Sequence, residues 1–419
     1  MKIDVPYGEG LQRLAITDDQ QVKTVSPEKT PGNTESIAKS LANPTEFEDL
    51  STFIATRKKL LVVVNDHTRP TPSSIVLRKL DLKGHDVTTI IACGAHRAPN
   101  QQEIQQILGG PAPPYGGRLI VHDAKDSKSL TLFGNTGRGT RLLLSRSLFE
   151  ADGIIVVGSV EPHYFAGYTG GRKFLLPALA GFDSIVMNHS LASDDDARIL
   201  QLDGNPVHED FMDALRSFGR FSDIFSIQMV LNAERQVSYT SSGHVLNSFL
   251  EAVKRAQDSY VAPVGPLADI VISVAKPPMD LDLYQSQKAI DNVKLAVKDG
   301  GIIILVSRCK DGIGDRGFYE LLASNNKSEP TDSHKFGFHK AVKMLRLLQK
   351  AKVFAVSDLP ANIPKQISIT PFTDVQAAFD KAIEMKGKES KVLMVLDGTV
   401  VVPIPGDRTT LNLGTKPPT

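Results

Sequence analysis

Short runs of apolar residues alternate with amphipathic stretches along the first half of the chain. The runs are rich in β-branched residues, and runs of this length are typical of strands buried on both faces of a parallel sheet. We therefore predict strands at residues 60–64, 87–93, 118–123, 153–160 and 225–232. Helices are predicted between them at residues 99–108, where Asn100 is a candidate N-cap, and at residues 205–218.

The same alternation restarts after a stretch rich in Pro and Gly at residues 261–269. Apolar runs and helical patterns then follow one another to about residue 400, which favours parallel strands joined by right-handed crossovers. The fold class predicted is α/β, with two three-layer domains, mainly parallel sheets and an active-site cleft between the domains. We predict an N-terminal domain at residues 1–260 and a Rossmann-like C-terminal domain at 265–400. Residues 401–419 are predicted to be a tail that either returns to the first domain or hangs from the second.

Composition narrows the class of protein. A chain of 419 residues is too long for one ordinary core, and 41% hydrophobic with 23% charged residues is typical of a folded protein. The net charge of +1 supplies no field for nucleic acid or anionic lipid. Without a basic-then-apolar leader or a long apolar run, we expect a cytoplasmic protein that does not enter a membrane. Cys93 and Cys309 stand far apart, which excludes a disulfide framework and a thiolate zinc site.

Residues 161–191 follow a predicted strand and combine glycines with ionisable side chains. Glycine loses much backbone entropy on folding, so a cluster of glycines is typical of a place where main chain approaches a ligand closely. Gly170 and Gly171 are the central pair. The side chains in this segment that are able to do chemistry are His163, Lys173 and His189.

Three further polar clusters follow predicted strands, at residues 65–72, 93–100 and 280–289. Ligands of open α/β sheets bind beyond the carboxyl ends of the strands, so these clusters and the glycine-rich segment predict one ligand cleft. The third cluster opens a helix on which Gln285 and Lys288 share one face.

The residue types suggest separate tasks. Arg69 is suited to bidentate capture of a carboxylate, and His96 and His163 are suited to moving a proton near neutral pH. His189 or Lys173 is suited to holding a metal or a covalent cofactor. Neither a dinucleotide-binding glycine turn after a strand nor a P-loop occurs, so an ordinary nicotinamide or ATP site is not predicted.

These stretches resemble the motifs of the lactate racemase family of nickel-pincer-nucleotide enzymes. The matching stretches are, in order, DHTRP at 66–70, GAHR at 94–97, PHYFAGYTGGRK at 162–173, the Asn188–His189 pair, GNPVHED at 204–210 and YQSQK at 284–288. The resemblance covers nearly the whole chain, by motif as far as Lys288 and by its α/β alternation beyond.

The resemblance implies a cofactor. Members of the family carry a pyridinium-3,5-bisthiocarboxylic acid mononucleotide that grips nickel through two sulfur atoms and a ring carbon. It implies covalent attachment at Lys173, His189 as the fourth nickel ligand, and Asp66 as a residue that orders the site. A square-planar set of nitrogen, sulfur and carbon donors is chemically reasonable for Ni(II). Dedicated maturation proteins are then implied as partners.

The resemblance also implies a reaction, the inversion of C2 of a 2-hydroxy acid. Arg69, Tyr284, Gln285 and Lys288 are implied to bind the substrate, and His96 and His163 to act as the acid/base pair. Removing the C2 proton would create a carbanion beside a carboxylate, whereas removing hydride leaves a neutral carbonyl. A histidine on each side then allows hydride to return to either face.

Two features of the sequence bear on the side chain of the substrate. The chain has no tryptophan, so a pocket wall made with an indole in lactate-specific members must be built differently here. Tyr168, Thr169 and Arg97 add more polarity than a methyl group requires. We therefore expect a larger or more polar 2-hydroxy acid, such as malate, an aryl-lactate or a sugar acid, at least as much as lactate.

Two alternatives stay open. His96, His163 and His189 would suit a zinc-dependent hydrolase, although the chain lacks the HExxH spacing and an obvious general-base glutamate. A non-catalytic homologue that binds the cofactor or ligand is the other alternative, and the intact histidine, lysine and arginine positions argue against it.

Overall fold

The computed structural model describes residues 2–17, 20–27, 30–324 and 338–406. They form two compact units. The N-terminal unit comprises the described residues from 30 to 259. The C-terminal unit comprises the described residues up to 27 together with those from 260 to 406.

The strands of the described residues are, in chain order, β1 (Lys2–Tyr7), β2 (Gly10–Ala15), β3 (Val22–Val25), β4 (Lys59–Asn65), β5 (Asp86–Ala92), β6 (Arg118–Val121), β7 (Leu130–Asn135), β8 (Arg141–Ser145), β9 (Gly153–Ser159), β10 (Pro162–His163), β11 (Gly167–Tyr168), β12 (Ile224–Leu231), β13 (Val237–His244), β14 (Val261–Gly265), β15 (Ala268–Val274), β16 (Val297–Val306), β17 (Lys352–Val356), β18 (Thr370–Phe372), β19 (Val392–Val395) and β20 (Val402–Pro405).

The α-helices of the described residues are α1 (Glu35–Ala42), α2 (Leu50–Ala55), α3 (Ser73–Leu77), α4 (Gln101–Leu108), α5 (Ser147–Glu150), α6 (Phe182–Ser190), α7 (Pro206–Phe218), α8 (Val245–Tyr260), α9 (Leu283–Val293), α10 (Arg316–Ser324), α11 (Phe338–Lys350), α12 (Asn362–Gln366) and α13 (Val375–Lys386). A short 3₁₀-helix at Gly171–Phe174 lies within the glycine-rich segment.

The N-terminal unit is built on a six-stranded sheet in the order β13-β12-β9-β4-β5-β6. All neighbours are parallel except β12 and β13. Successive residues of a strand face opposite sides, so Leu61 and Val63 pack against α6 and α7, whereas Val62 and Val64 pack against α2, α3 and α4. Helices therefore cover both faces of the sheet, which confirms the predicted three-layer α/β arrangement for this unit.

The C-terminal unit has a six-stranded parallel sheet in the order β18-β17-β16-β15-β19-β3. Helices α9, α10 and α11 pack on one face, around Val271, Ile303 and Leu305. On the other face α13 and the antiparallel β1–β2 hairpin cover Ile270 and Ile272. This unit is also three-layered, although one of its outer layers is partly a hairpin.

The first residues of the chain correct the predicted domain limits. The predicted N-terminal domain spans residues 1–260, but β1, β2 and β3 belong to the C-terminal unit. Strand β3 pairs with β19 at the edge of that unit's sheet. Polar residues alternate along these strands, so they give little apolar signal in the sequence. Strand β3 lies at the edge of the sheet, and two of its positions are exposed.

Two further points concern where elements end. Helix α9 ends at Val293, because the backbone from Val297 onward pairs with β15. Residues 402–405 form β20, which pairs with β14 inside the C-terminal unit. The remainder of the predicted tail, residues 407–419, lies outside the described residues. In the part of the chain that the structure describes, no helix is long and apolar enough to cross a membrane.

The β1–β2 hairpin offers a test of this grouping. Leu14 is fully buried beneath the C-terminal sheet, whereas Leu11 on the same strand is 65% exposed. Leu14→Ala should lower the free energy of unfolding by about 2–5 kcal/mol, since it leaves a cavity in the core. Leu11→Ala should change it by less than about 0.5 kcal/mol. Denaturant unfolding of both variants measures the difference, and equal effects would contradict the assignment of the hairpin to that core.

Candidate active site

Three adjacent parallel strands of the N-terminal unit end at one edge of its sheet. Strands β4, β5 and β9 are neighbours, and a polar segment follows each of them. The Thr71 hydroxyl lies 2.7 Å from the Ser159 hydroxyl, which joins the segments after β4 and β9. The Gly94 amide donates to the Ala178 carbonyl at 3.1 Å, which joins the segment after β5 to the glycine-rich segment. The sheet thus brings together three of the polar clusters that the sequence singles out.

Asp66 and His96 form a hydrogen-bonded pair at this edge. The Asp66 carboxylate is buried and lies 2.7 Å from Nδ1 of His96. It also accepts hydrogen bonds from the backbone amide and the hydroxyl of Thr68, at 3.1 Å and 2.7 Å. Burial raises the pKa of Asp66. The hydrogen bond to His96, the charge of His96 and the hydrogen bond from the Thr68 hydroxyl together lower it by more, so the pKa of Asp66 lies below its ordinary value.

This pairing orients the imidazole of His96. A carboxylate on Nδ1 favours the tautomer with its proton there, which leaves the lone pair on Nε2. The His96 side chain is 40% exposed, so a ligand has access to the ring. Asp66 is therefore placed to orient the ring of His96.

Arg69 lies in the turn that follows β4. Its backbone amide donates to the Asp66 carbonyl at 3.2 Å, and the side chain is half-buried. Within the described ranges the guanidinium forms no ion pair, and its charge acts on both Asp66 and Lys173. The structure thus gathers Asp66, Arg69 and His96 in one cluster.

Gly170 and Gly171 have positive φ angles of 83° and 49°. A Cβ atom at Gly170 would lie 2.6 Å from Val160 Cγ2, and one at Gly171 would lie 2.6 Å from Phe249 Cβ. Close packing against protein atoms therefore requires glycine at both positions. Their predicted contact with a cofactor stays a prediction.

Arg172 holds this loop from inside the protein. Its side chain is completely buried, and the guanidinium donates to the carbonyls of Ala166, Tyr168 and Gly170 at 2.8, 3.0 and 3.3 Å. Its Nε donates to Nδ1 of His208 at 3.0 Å, and its Cζ lies 4.4 Å from the centroid of the Phe249 ring. Burial lowers the pKa of Arg172 to about 9.

His208 has the structural role that its place at a helix start suggests. Burial, followed by the charges of Arg172 and Arg216, holds the pKa of His208 well below its ordinary value. A neutral ring is able to accept the hydrogen bond from Arg172.

Lys173 carries a buried amine. Its side chain is only 9% exposed, and its Nζ lies 5.7 Å from the centroid of Phe165 and 5.4 Å from that of Phe211. Burial, together with the positive charges of Arg69 and Arg172, holds the pKa of Lys173 well below its ordinary value, and Glu161 offsets only part of this effect. A lysine amine with a depressed pKa is available as a nucleophile.

Phe165 joins Lys173 to two histidines. The Phe165 ring is 2% exposed and lies edge-on to His163, with 4.5 Å between centroids, and to His189, with 5.0 Å. The Lys173 amine contacts the same ring. One aromatic side chain therefore gathers His163, Lys173 and His189, which are ten and sixteen residues apart along the chain.

The backbone orients the ring of His163. The amide of Ala166 donates to Nδ1 of His163 at 3.3 Å, so a neutral His163 carries its proton on Nε2. His163 also stacks on Tyr164, with 5.2 Å between ring centroids. His163 and His96 thus have opposite proton positions when both rings are neutral.

His189 lies in the last turn of α6, beside a buried amide. Its Nδ1 is 3.2 Å from Oδ1 of Asn188, which is completely buried and donates from Nδ2 to Asp210 at 2.8 Å. Within the described ranges, no group of three or more His, Cys, Asp or Glu residues is arranged to hold a metal ion by itself.

Tyr284, Gln285 and Lys288 lie in the first turns of α9 in the C-terminal unit. The Asp282 carboxylate caps this helix by accepting from the Gln285 amide at 2.7 Å. Lys340 Nζ lies 3.5 Å from the centroid of the Tyr284 ring. The predicted part of these residues in substrate binding stays a prediction.

Three side chains thought to make the pocket polar are engaged elsewhere. Tyr168 is fully buried, and its hydroxyl accepts from Gln257 at 3.2 Å. The Thr169 hydroxyl donates to the Ser159 carbonyl at 2.9 Å and accepts from the Glu161 amide. Arg97 forms a bidentate ion pair with Glu103, in which Nη1 lies 2.8 Å from Oε2 and Nη2 lies 2.5 Å from Oε1. The expectation of a larger or more polar substrate, which also rests on the absence of tryptophan, stays a prediction.

Sequence reasoning missed Phe165, Arg172 and Asp210. Phe165 and Arg172 lie inside the PHYFAGYTGGRK stretch, and Asp210 ends GNPVHED, so their motif positions were the available signal. Their contacts depend on residues distant in the chain, such as Phe249, Thr136 and Asn188.

Comparisons with known proteins identify the family to which the chain is similar. The Lactate racemase N-terminal domain family matches residues 7–199, and the Lactate racemase C-terminal domain family matches residues 265–403. The chain is 28% identical to the lactate racemase of Thermoanaerobacterium thermosaccharolyticum, over 96% of this chain and 98% of that protein. It is also 28% identical to the lactate racemase of Lactiplantibacillus plantarum, over 96% of this chain and 99% of that protein.

Two solved structures share the fold. The lactate racemase apoprotein from T. thermosaccharolyticum superimposes with a TM-score of 0.88 at 28% identity, over 96% of this chain and all of that one. A Thermotoga maritima protein superimposes with a TM-score of 0.64 at 17% identity, over 90% of this chain and all of that one, which shows the fold alone. Both domain families match, and relatives named lactate racemase align along nearly the whole chain, so the chain belongs to the lactate racemase family of isomerases.

Proposed function

We propose that this chain inverts C2 of a 2-hydroxy acid with the help of a nickel-pincer nucleotide attached at Lys173. Membership of the family supports a racemase function. The observation that carries the finer proposal is the contact of His163, Lys173 and His189 with the single ring of Phe165. This ring gathers an acid/base residue, a covalent anchor and a metal ligand, as the proposal requires.

The residues present fit such a cofactor. Lys173 is a buried amine whose pKa is strongly depressed, which suits the formation of a covalent bond to a carboxyl-type carbon. His189 supplies an imidazole nitrogen, a donor that nickel accepts readily. When bound, the nucleotide supplies an acceptor and donor of hydride. The remaining work falls to the side chains of this chain.

His96 acts on the substrate hydroxyl. With Nδ1 bonded to Asp66, its Nε2 takes the hydroxyl proton, and the adjacent carboxylate stabilises the imidazolium that results. His163 is assigned the matching role on the other side of the substrate: in its doubly protonated form it gives a proton to the carbonyl oxygen, which leaves its ring neutral. The two rings exchange these roles when the opposite enantiomer reacts.

Arg69 holds the substrate carboxylate in this proposal. It lies in the same turn as Asp66, and its charge reaches Lys173, so a carboxylate there is close to both clusters. Bidentate binding leaves the rest of a 2-hydroxy acid free to rotate between the two histidines. Lactate, the substrate in the names of the relatives, is the first substrate to test, followed by malate, aryl-lactates and sugar acids.

The anchor is tested by intact mass. Protein produced together with the cofactor-maturation proteins should carry the nucleotide as a covalent adduct, and Lys173→Met should carry none, because the attacking amine is absent. Lys58→Met, at an exposed position before β4, is the matched control and should keep the adduct. An adduct on the Lys173 variant would place the tether elsewhere.

The acid/base pair is tested by turnover of cofactor-loaded protein. His96→Ala and His163→Ala should each lower kcat by on the order of 10²–10⁴, the usual contribution of a positioned general acid or base. His85→Ala is the control, since His85 bonds to the Arg57 carbonyl just before β5, at the opposite end of the strand from His96. Wild-type rates in both test variants would contradict the assignment.

The reaction itself is tested by racemisation in deuterated water. If the C2 hydrogen leaves and returns with its electron pair while the histidines exchange only the hydroxyl proton, the product should keep its original hydrogen at C2. Mass spectrometry of the product measures this. Deuterium entering C2 at the rate of racemisation would show proton abstraction instead and would refute the hydride route.

A further inference from the structure

We propose that Asn188 and Asp210 are positioning residues that hold the imidazole of His189 with its proton on Nδ1, so that Nε2 is the atom presented to the metal. The inference deepens the proposed function and rests on it in one respect, because the role of His189 as a metal ligand is part of that proposal. The proton position itself is a property of the apoprotein and is tested without the cofactor.

The chain of contacts starts at Asp210, a fully buried residue of α7. One carboxylate oxygen accepts from the Thr136 hydroxyl at 2.5 Å, and the other accepts from the Thr140 hydroxyl at 2.8 Å and from Asn188 Nδ2 at 2.8 Å. The Thr136 hydroxyl in turn accepts from the Thr140 amide at 3.0 Å, which directs its proton toward the carboxylate. Asp210 therefore acts as a hydrogen-bond acceptor with three donors.

This carboxylate decides which way the Asn188 amide faces. Only the NH₂ group of an asparagine is able to donate, so the NH₂ faces Asp210 and the carbonyl oxygen faces His189. Asn188 is completely buried, so no water competes for either group. The alternative orientation would place a carbonyl oxygen against a buried carboxylate, which costs free energy.

The orientation of the amide then decides the tautomer of His189. A carbonyl oxygen 3.2 Å from Nδ1 is satisfied only if Nδ1 carries a proton. The lone pair of a neutral ring is then on Nε2, as a metal ligand requires. Partners of this kind fix the tautomer and the ring orientation of ligating histidines.

The side chains that bond to Nδ1 of His96 and of His189 differ in charge. Asp66 contacts His96 directly, so a carboxylate lies against this ring. At His189 a neutral amide separates the ring from the carboxylate of Asp210. A carboxylate thus holds the ring of His96 by direct contact, whereas at His189 it acts only through the amide and sets the ring's orientation.

The competing explanation is that Asp210 only stabilises the fold and does not position His189. Asp210 also joins α7 to the turn between β7 and β8, and Asp213, one turn further along α7, does the same by accepting from the Gly137 amide. Asp213→Ala therefore loosens the same junction without touching Asn188, and it serves as the matched control.

The experiment measures the ring nitrogens of His189 by NMR in full-length apoprotein with ¹⁵N-labelled histidine. It is run at about pH 9, well above the ordinary histidine pKa of ~6.5, so that the neutral tautomers are compared. The His189 signals are identified by their loss in His189→Gln. We expect the Nδ1-protonated tautomer in the wild type and in Asp213→Ala, and a mixture of tautomers in Asn188→Ala and Asp210→Asn.

A wild-type ring protonated on Nε2 would overturn the proposal, and this measurement needs no variant that must fold. So would an unchanged tautomer in Asn188→Ala, or an equal change in Asp213→Ala. In cofactor-loaded protein, Asn188→Ala should lower kcat by about 10- to 100-fold, the usual effect of losing such a partner. Full activity of His189→Gln would refute the metal role of His189 while leaving the tautomer result intact, so the two failures are distinguishable.

Discussion

The buried guanidinium of Arg172 ties the glycine-rich loop to the body of the N-terminal unit. Three of its hydrogen bonds go to carbonyls of residues 166–170, and the cation lies over the ring of Phe249. Buried carbonyls need donors, and one planar cation with five N–H groups satisfies several at once. The path of the chain between His163 and Lys173 therefore depends on Arg172, and the positions of both residues follow from it.

The same cation influences the proton on its neighbour. Arg172 and Lys173 both lie near the Phe211 ring, with their charged groups 5.7 Å and 5.4 Å from its centroid. Two adjacent desolvated cations are costly, and lysine releases its proton more readily than arginine. The interaction that shapes the loop therefore adds to the effect of burial in lowering the pKa of the Lys173 amine.

Several features of the site were predictable from sequence alone. Asp66 and His96 follow strands that proved to be neighbours, and parallel strands place the residues after their carboxyl ends side by side. The glycine-rich stretch pointed to Lys173 and to its two histidines. Arg97 and Thr169 show the limit of such reasoning, because nothing in their local sequence reveals that Glu103 and the Ser159 carbonyl bind them. A polar side chain is recognisable in a sequence, but its partner is not.

The apolar runs and the amphipathic stretches determined the strands, the helices and the three-layer α/β class, since burying a face with a given period is a local requirement. Spacing and residue type also singled out His163, Lys173 and His189. Only the tertiary structure decided that β1–β3 join the C-terminal unit, that Phe165 gathers these three residues, and that Asn188 faces Asp210. Edge pairing, aromatic contacts and the choice of hydrogen-bond partner all depend on groups far apart along the chain, and no local pattern encodes which distant group folding brings into contact.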